Sequence, residues 1–171
     1  MTNEKIATSI HNAIDYLTEH PDEARYTDSH ATATLESGLR FRVEGPDGAS
    51  VASDMPSAVG GAGSAPSPAW FMRAALAACD ASLIAMRAAQ EGVALDKLEV
   101  VVDSESDDRG ILGIDDDVPA GPLSTRVRVS ISSKDASDER LRAIVDWAHQ
   151  HCPVSDATSR AIPTTLEVAT G

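Results

Sequence analysis

Two cysteines, Cys79 and Cys152, are the residues of this chain best suited to covalent chemistry. A thiol becomes a strong nucleophile once it is ionised, and its surroundings decide whether it ionises. The two are too far apart in sequence for a CxxC redox motif or a local metal clip, but a fold that brings them together would make them one redox couple. Cys79 lies in the middle of a small-residue segment, SPAWFMRAALAACDASLIAMRAA. A buried cysteine there is either a small hydrophobe or, with a cation nearby, a reactive thiolate. Arg40, Arg42 and Arg73 are the candidate cations. Cys152 stands in HCPVSD. If Pro153 opens a helix, Cys152 is its N-cap, where free amide groups and the helix dipole favour a thiolate; otherwise Cys-Pro marks a turn. His149 and His151 nearby raise the question of zinc, but their spacing is poor for ligation and no second Cys/His cluster exists. No GxSxG serine-hydrolase motif occurs. The Asp115, Asp116, Asp117 run lacks the glycine and distal glutamate of a calcium loop.

Composition narrows the function further. With 14 basic against 27 acidic residues the net charge is −13, which disfavours nucleic acid and anionic membrane surfaces as partners. No apolar run reaches the roughly 18–20 residues of a bilayer span, and MTNEKIATSIHN lacks the features of a signal peptide. A cytoplasmic location is expected, where cysteines stay reduced unless their oxidation is part of the function. At 171 residues the chain suits one domain.

The elements that must position the cysteines follow from hydrophobic periodicity. Ile6, Ile10, Ile14 and Leu17 predict an amphipathic helix over 3–19. Alternation predicts strands at 31–36 and 39–44, with turns at Ser37-Gly38 and Gly45-Pro46-Asp47-Gly48, and a third short strand around 49–54 completes a meander. Residues 55–67, MPSAVGGAGSAPS, read as a loop, either flexible or forming the rim of a pocket. Ser67 and Pro68 open a helix over 68–91 whose apolar positions spread so widely that it should be buried on most sides, and Gly92 ends it. Strands at 95–103 and 124–132 flank an acidic loop. A helix at 136–151, a short helix after Pro153 and a strand at 163–169 complete an α+β order.

Three segments, GGAGSAPSPAWFMRAALAAC, GVALDKLEVVVDSESDDRG and HCPVSDATSRAIPTTLEV, occur in the order and with the cysteine placement of the OsmC/Ohr family (osmotically induced protein C and organic hydroperoxide resistance protein), which the chain resembles from about residue 30 onward. The resemblance implies an OsmC-like α+β fold, with antiparallel sheets around a long buried cysteine-bearing helix, in an intertwined homodimer. Residues 1–28 would be a helical extension and 29–171 the OsmC-like domain. The implied activity is a thiol peroxidase for organic hydroperoxides, needing no cofactor or metal. Cys79 would form the sulfenic acid, Cys152 would resolve it as a disulfide, and a dithiol reductant would restore both thiols. Where the family usually carries a glutamate after the Ser/Asn-Pro pair, this chain has Ala69, and no arginine aligns clearly with the family's activating one. The alternative is a non-catalytic OsmC-like small-molecule-binding or stress protein.

Overall fold

The structure, a computed structural model, describes residues 2–171. The elements in chain order are α1 (Asn3–Glu19), β1 (Thr32–Ser37), β2 (Arg40–Glu44), β3 (Ser50–Ser53), α2 (Pro68–Gln90), β4 (Lys97–Glu105), α3 (Asp108–Ile111), β5 (Ser124–Ser132), α4 (Asp138–Gln150) and α5 (Pro153–Ser159). The chain divides into two compact units. One takes the chain up to Thr8, Leu76–Val101 and Arg126–Gly171; the other takes Ser9–Ala75 and Val102–Thr125.

The unit that carries both cysteines is built on α4 and the second half of α2. Ser137 caps α4 by accepting the Arg140 N–H, and Asp138 and Glu139 sit in its first turn, where the helix dipole favours negative charge. Leu141, Ile144 and Ala148 fall on one stripe of α4 and pack with Ile84 and Ala88 of α2 and with Val93. Val129 and Ile131 of β5 and Leu98 and Val100 of β4 lie against this core. Polar clasps rim it. The Arg140 guanidinium donates to the Glu91 carbonyl at 2.7 Å, and Arg87 lies over the Trp147 ring at 4.5 Å. β4 and β5 form a two-stranded sheet. Asp96 N–H donates to Ser132 O at one end and Leu123 N–H to Glu105 O at the other, so the strands run antiparallel.

The other unit holds the antiparallel meander β1-β2-β3. The register pairs Ala33 with Val43 and Leu35 with Phe41, then Phe41 with Ser53 and Val43 with Val51. Ala33, Phe41, Val43 and Val51 thus share one face, which with Phe71, Ala74 and Ala75 lines an apolar groove of about 700 Å³. The glycine-rich loop is not slack. It wraps around the buried Asp54 carboxylate, which accepts from Met55 N–H (2.8 Å), Ser64 N–H (2.9 Å) and Ser64 Oγ (2.8 Å). These bonds hold the Asp54 carboxyl below its usual range. Gly61 is obligatory, because a Cβ there would meet the Met55 carbonyl oxygen at 1.8 Å.

α2 begins and ends where its sequence directs. Ser67 accepts the Trp70 N–H at 3.3 Å, Pro68 is the first helical residue, and Gly92 (φ +69°) turns the chain out as Val93 N–H reaches back to Ala88 O. Burial is narrower than the breadth of its apolar surface predicts. Leu76, Asp80, Ile84, Ala88 and Ala89 are buried, while the other positions are half-buried or exposed in the single chain. By length and composition α2 could cross a membrane. Arg73, Asp80 and Arg87 interrupt its sequence, and its buried stripe packs into the α4 core, as a core helix does.

One predicted element is not formed. Residues 163–169 make no strand, and Leu166 and Val168 are 86% and 76% exposed. A strand needs a neighbour to take its backbone hydrogen bonds, and none pairs with this segment within the described chain.

Candidate thiol site

Cys79 and Cys152 are both free, and both belong to the unit built on α4. Cys79 is half-buried near the middle of α2. Cys152 is the N-cap of α5, with its sulfur accepting the Ser155 N–H at 3.4 Å and no exposed surface. The N-cap geometry is therefore as predicted, but its electrostatic consequence is reversed. Burial pushes the Cys152 thiol up to about 12, against the lowering effect of the Ser155 N–H; hydrogen bonding with the Cys79 and Asp80 side chains raises it further. Cys152 is thus favoured as a thiol, with Cys79 and Asp80 the neighbouring side chains that add to the effect of burial.

Sequence reasoning missed Asp80 and assigned His149 only to a weak metal reading. Asp80, 1% exposed, follows Cys79 directly and points into the protein. His149 of α4 brings Nδ1 to 3.1 Å and 3.3 Å from its two carboxylate oxygens, while Nε2 lies 3.3 Å from Ser155 Oγ. A buried carboxylate without partners would be costly, and this one is compensated from a second helix. The signal was present in the sequence as an acidic residue amid small apolar ones. His151 turns away, stacking on Trp147 and bonding its carbonyl oxygen at 2.7 Å. Its ring therefore does not join His149 in a ligand pair.

The candidate cations have other partners. Arg40 donates to Ser64 Oγ at 2.7 Å and pairs with Glu36 at 3.1 Å. Ser64 in turn donates to Asp54, which links Arg40 to the glycine loop. Arg42 lies 3.8 Å and 3.7 Å from Glu36 and Glu44, and Arg73 donates to Ser104 Oγ at 3.2 Å. In the acidic loop Asp115 lies 3.4 Å from Arg109 and accepts the Asp117 N–H, as in a capped turn.

An antiparallel α+β protein with two free thiols in one unit, one on a long helix and one at the head of a short one, is a two-cysteine thiol protein. The OsmC-like protein family model matches residues 61–167, and the chain belongs to that family. It is similar to the organic hydroperoxide resistance protein of Xanthomonas axonopodis pv. citri, with 34% identity over 152 residues that cover 87% of this chain and 98% of the relative. Two crystal structures share the fold. An OsmC-like protein from Mycoplasma pneumoniae superposes with a TM-score of 0.66 at 16% identity, covering 78% of this chain and 89% of its own. An organic hydroperoxide resistance protein from Legionella pneumophila gives 0.58 at 24% identity, covering 79% and 91%.

Proposed function

We propose that the protein is a cysteine-based peroxidase that reduces organic hydroperoxides. The observation that carries this reading is the placement of two free thiols in one unit, a half-buried Cys79 on α2 and a buried Cys152 at the head of α5. The name of the Xanthomonas relative supports the substrate class. The Cys79 thiolate attacks the terminal oxygen of R–O–O–H. The O–O bond breaks, the alkoxide leaves and takes a proton as R–OH, and Cys79 becomes a sulfenic acid. The Cys152 sulfur then attacks Cys79, forming the disulfide as hydroxide departs and is protonated to water. A dithiol reductant restores both thiols by exchange.

A homodimer completes this reading. The uncovered faces of α2 and the unpaired apolar residues Leu166 and Val168 are surface that a second copy would bury. Residues 1–28 act as an extension appended to the OsmC-like domain of residues 29–171, and the reducing cytoplasm is where a dithiol reductant acts.

A second reading, a non-catalytic binding or stress protein of the same family, is favoured by Ala69 in place of the family's usual glutamate. One experiment separates the two. Reduced wild type, Cys79→Ser and Cys152→Ser are mixed with cumene hydroperoxide, and peroxide consumed and free thiols are counted. Peroxidase chemistry gives consumption by wild type, none by Cys79→Ser, and a dimedone-trappable sulfenic acid in Cys152→Ser. Wild type no faster than Cys79→Ser selects the binder.

A further inference from the structure

Resolution of the sulfenic acid raises a problem specific to this chain. Cys152 must deliver its sulfur as a nucleophile, yet it is fully buried and protonated, so hydroxide from solvent reaches its proton poorly. Something inside the site has to accept it. The nearest groups form a continuous chain. Ser155 donates its N–H to Cys152 Sγ and places its hydroxyl 3.3 Å from His149 Nε2; His149 Nδ1 lies 3.1 Å from Asp80, which is itself buried, adjoins Cys79 in the chain and is among the groups that act on the Cys152 thiol.

We infer that Asp80 is the proton acceptor for the Cys152 thiol in the disulfide-forming step, with His149 and Ser155 as positioning residues that hold its carboxylate on the thiol. This rests on the peroxidase reading. With Asp80 ionised, His149 carries its proton on Nδ1 and donates it to the carboxylate, while Nε2 accepts from the Ser155 hydroxyl. As Cys152 Sγ attacks the Cys79 sulfur it gains positive character and the S–H proton becomes acidic. The S–H bond breaks towards Asp80 while the S–S bond forms and the S–O bond of the sulfenic acid breaks. Asp80 returns the proton to the departing hydroxide, so one water leaves and the carboxylate is restored. Formally the Cys152 sulfur is oxidised from the thiol to the disulfide level and the Cys79 sulfur is reduced from the sulfenic to the disulfide level, one electron each, and no further reagent is required. The small cavity beside the pair is lined by Ile84 of α2, Val145 and Asp146 of α4 and Val127 and Val129 of β5, and the thiols of Cys79 and Cys152 are the neighbouring titratable groups on α2 and at the head of α5.

The test isolates Cys152 from peroxide chemistry. Full-length protein is loaded with thionitrobenzoate as a mixed disulfide on Cys79, and release of the coloured thiolate as Cys152 attacks is followed by stopped flow from pH 5 to 10. Wild type should release it with a shallow pH profile. Asp80→Asn, nearly isosteric, should be slower at pH 7 by on the order of 10²–10³-fold and recover about tenfold per pH unit as hydroxide takes over. His149→Gln, which can still donate to Asp80, should retain most of the wild-type rate, and Asp80→Glu should restore part of it. Asp80→Asn that releases at the wild-type rate, or that is slow with no recovery at high pH, overturns the inference. If Asp80→Asn does not fold, a shallow profile in His149→Ala with no loss of rate overturns it equally, since the carboxylate would then be unheld without consequence. If wild type releases thionitrobenzoate as expected but consumes no hydroperoxide, the peroxidase reading fails while the role of Asp80 stands.

Discussion

His149 Nδ1 lies 3.1 Å from an Asp80 carboxylate oxygen, joining residues 69 positions apart in the chain and on different helices. This pair allows a carboxylate to be buried directly after Cys79, at a place where an unpartnered charge would be expelled or neutralised. It also fixes α4 against α2 on the side where α5 brings Cys152. α2, which carries Cys79, and α4, which leads into Cys152, are therefore joined by a polar contact as well as by the Ile84, Ile144 and Ala148 core.

The two thiols should differ sharply towards alkylation. In native, reduced protein at pH 8, iodoacetamide should modify Cys79 and leave Cys152 unmodified. A thiol pushed up to about 12 holds about a thousandfold less thiolate than a free cysteine at that pH, and this one also has no exposed surface. Peptide mass spectrometry with and without denaturant reads the difference. Equal labelling of both in the native state would contradict the burial described.

Cys152 should make the fold weaker in alkali. Its folded value lies above its ordinary value of 9.0, so between about pH 9 and about 12 the native state binds more protons than the unfolded chain. Its contribution is complete below pH 9 and is lost as the pH rises towards 12. Urea midpoints measured across that range should fall for wild type and fall less steeply for Cys152→Ala. Parallel slopes would count against the assignment.

The glycine loop should be rigid and intolerant at one position. Gly61→Ala forces its Cβ onto the Met55 carbonyl oxygen and should cost about 2–4 kcal/mol of stability, whereas Gly121→Ala, with nothing within 4 Å of the added carbon, should cost under about 1 kcal/mol. Thermal melts of the two variants decide this. Asp54→Asn should loosen the same loop above pH 4. The wild-type carboxylate contributes fully above its ordinary value of 3.8 and loses that contribution as acid titrates its lowered folded value.

If a second copy covers the exposed carboxyl-terminal apolar residues, wild type should sediment as a dimer at micromolar concentration. Leu166→Asp should then shift it towards monomer, because Leu166 is 86% exposed in the single chain and the aspartate would place a charge in the surface that the second copy buries. A wild-type protein that stays monomeric at high concentration would remove the dimer from the functional reading.

Local chemistry determined much of this protein before any contact was known. Period-3.6 stripes marked α1, α2 and α4, alternation marked β1, β2, β4 and β5, and the turn after β2 implied β3. Ser67, Pro68 and Gly92 set the ends of the cysteine helix, and Pro153 made Cys152 a candidate helix cap, the alternative to a simple turn that the structure bears out. Each of these depends on residues within a turn or two of one another, so each is legible in one dimension. Tertiary structure alone decided the rest, because burial and long-range pairing depend on what the fold places alongside. It turned Cys152 from a favoured thiolate into a protected thiol, since desolvation outweighs one amide donor. It gave the isolated Asp80 a partner in His149 and the glycine loop an anchor in Asp54. It left residues 163–169 without a strand, because β pairing needs a neighbour that the described chain does not supply.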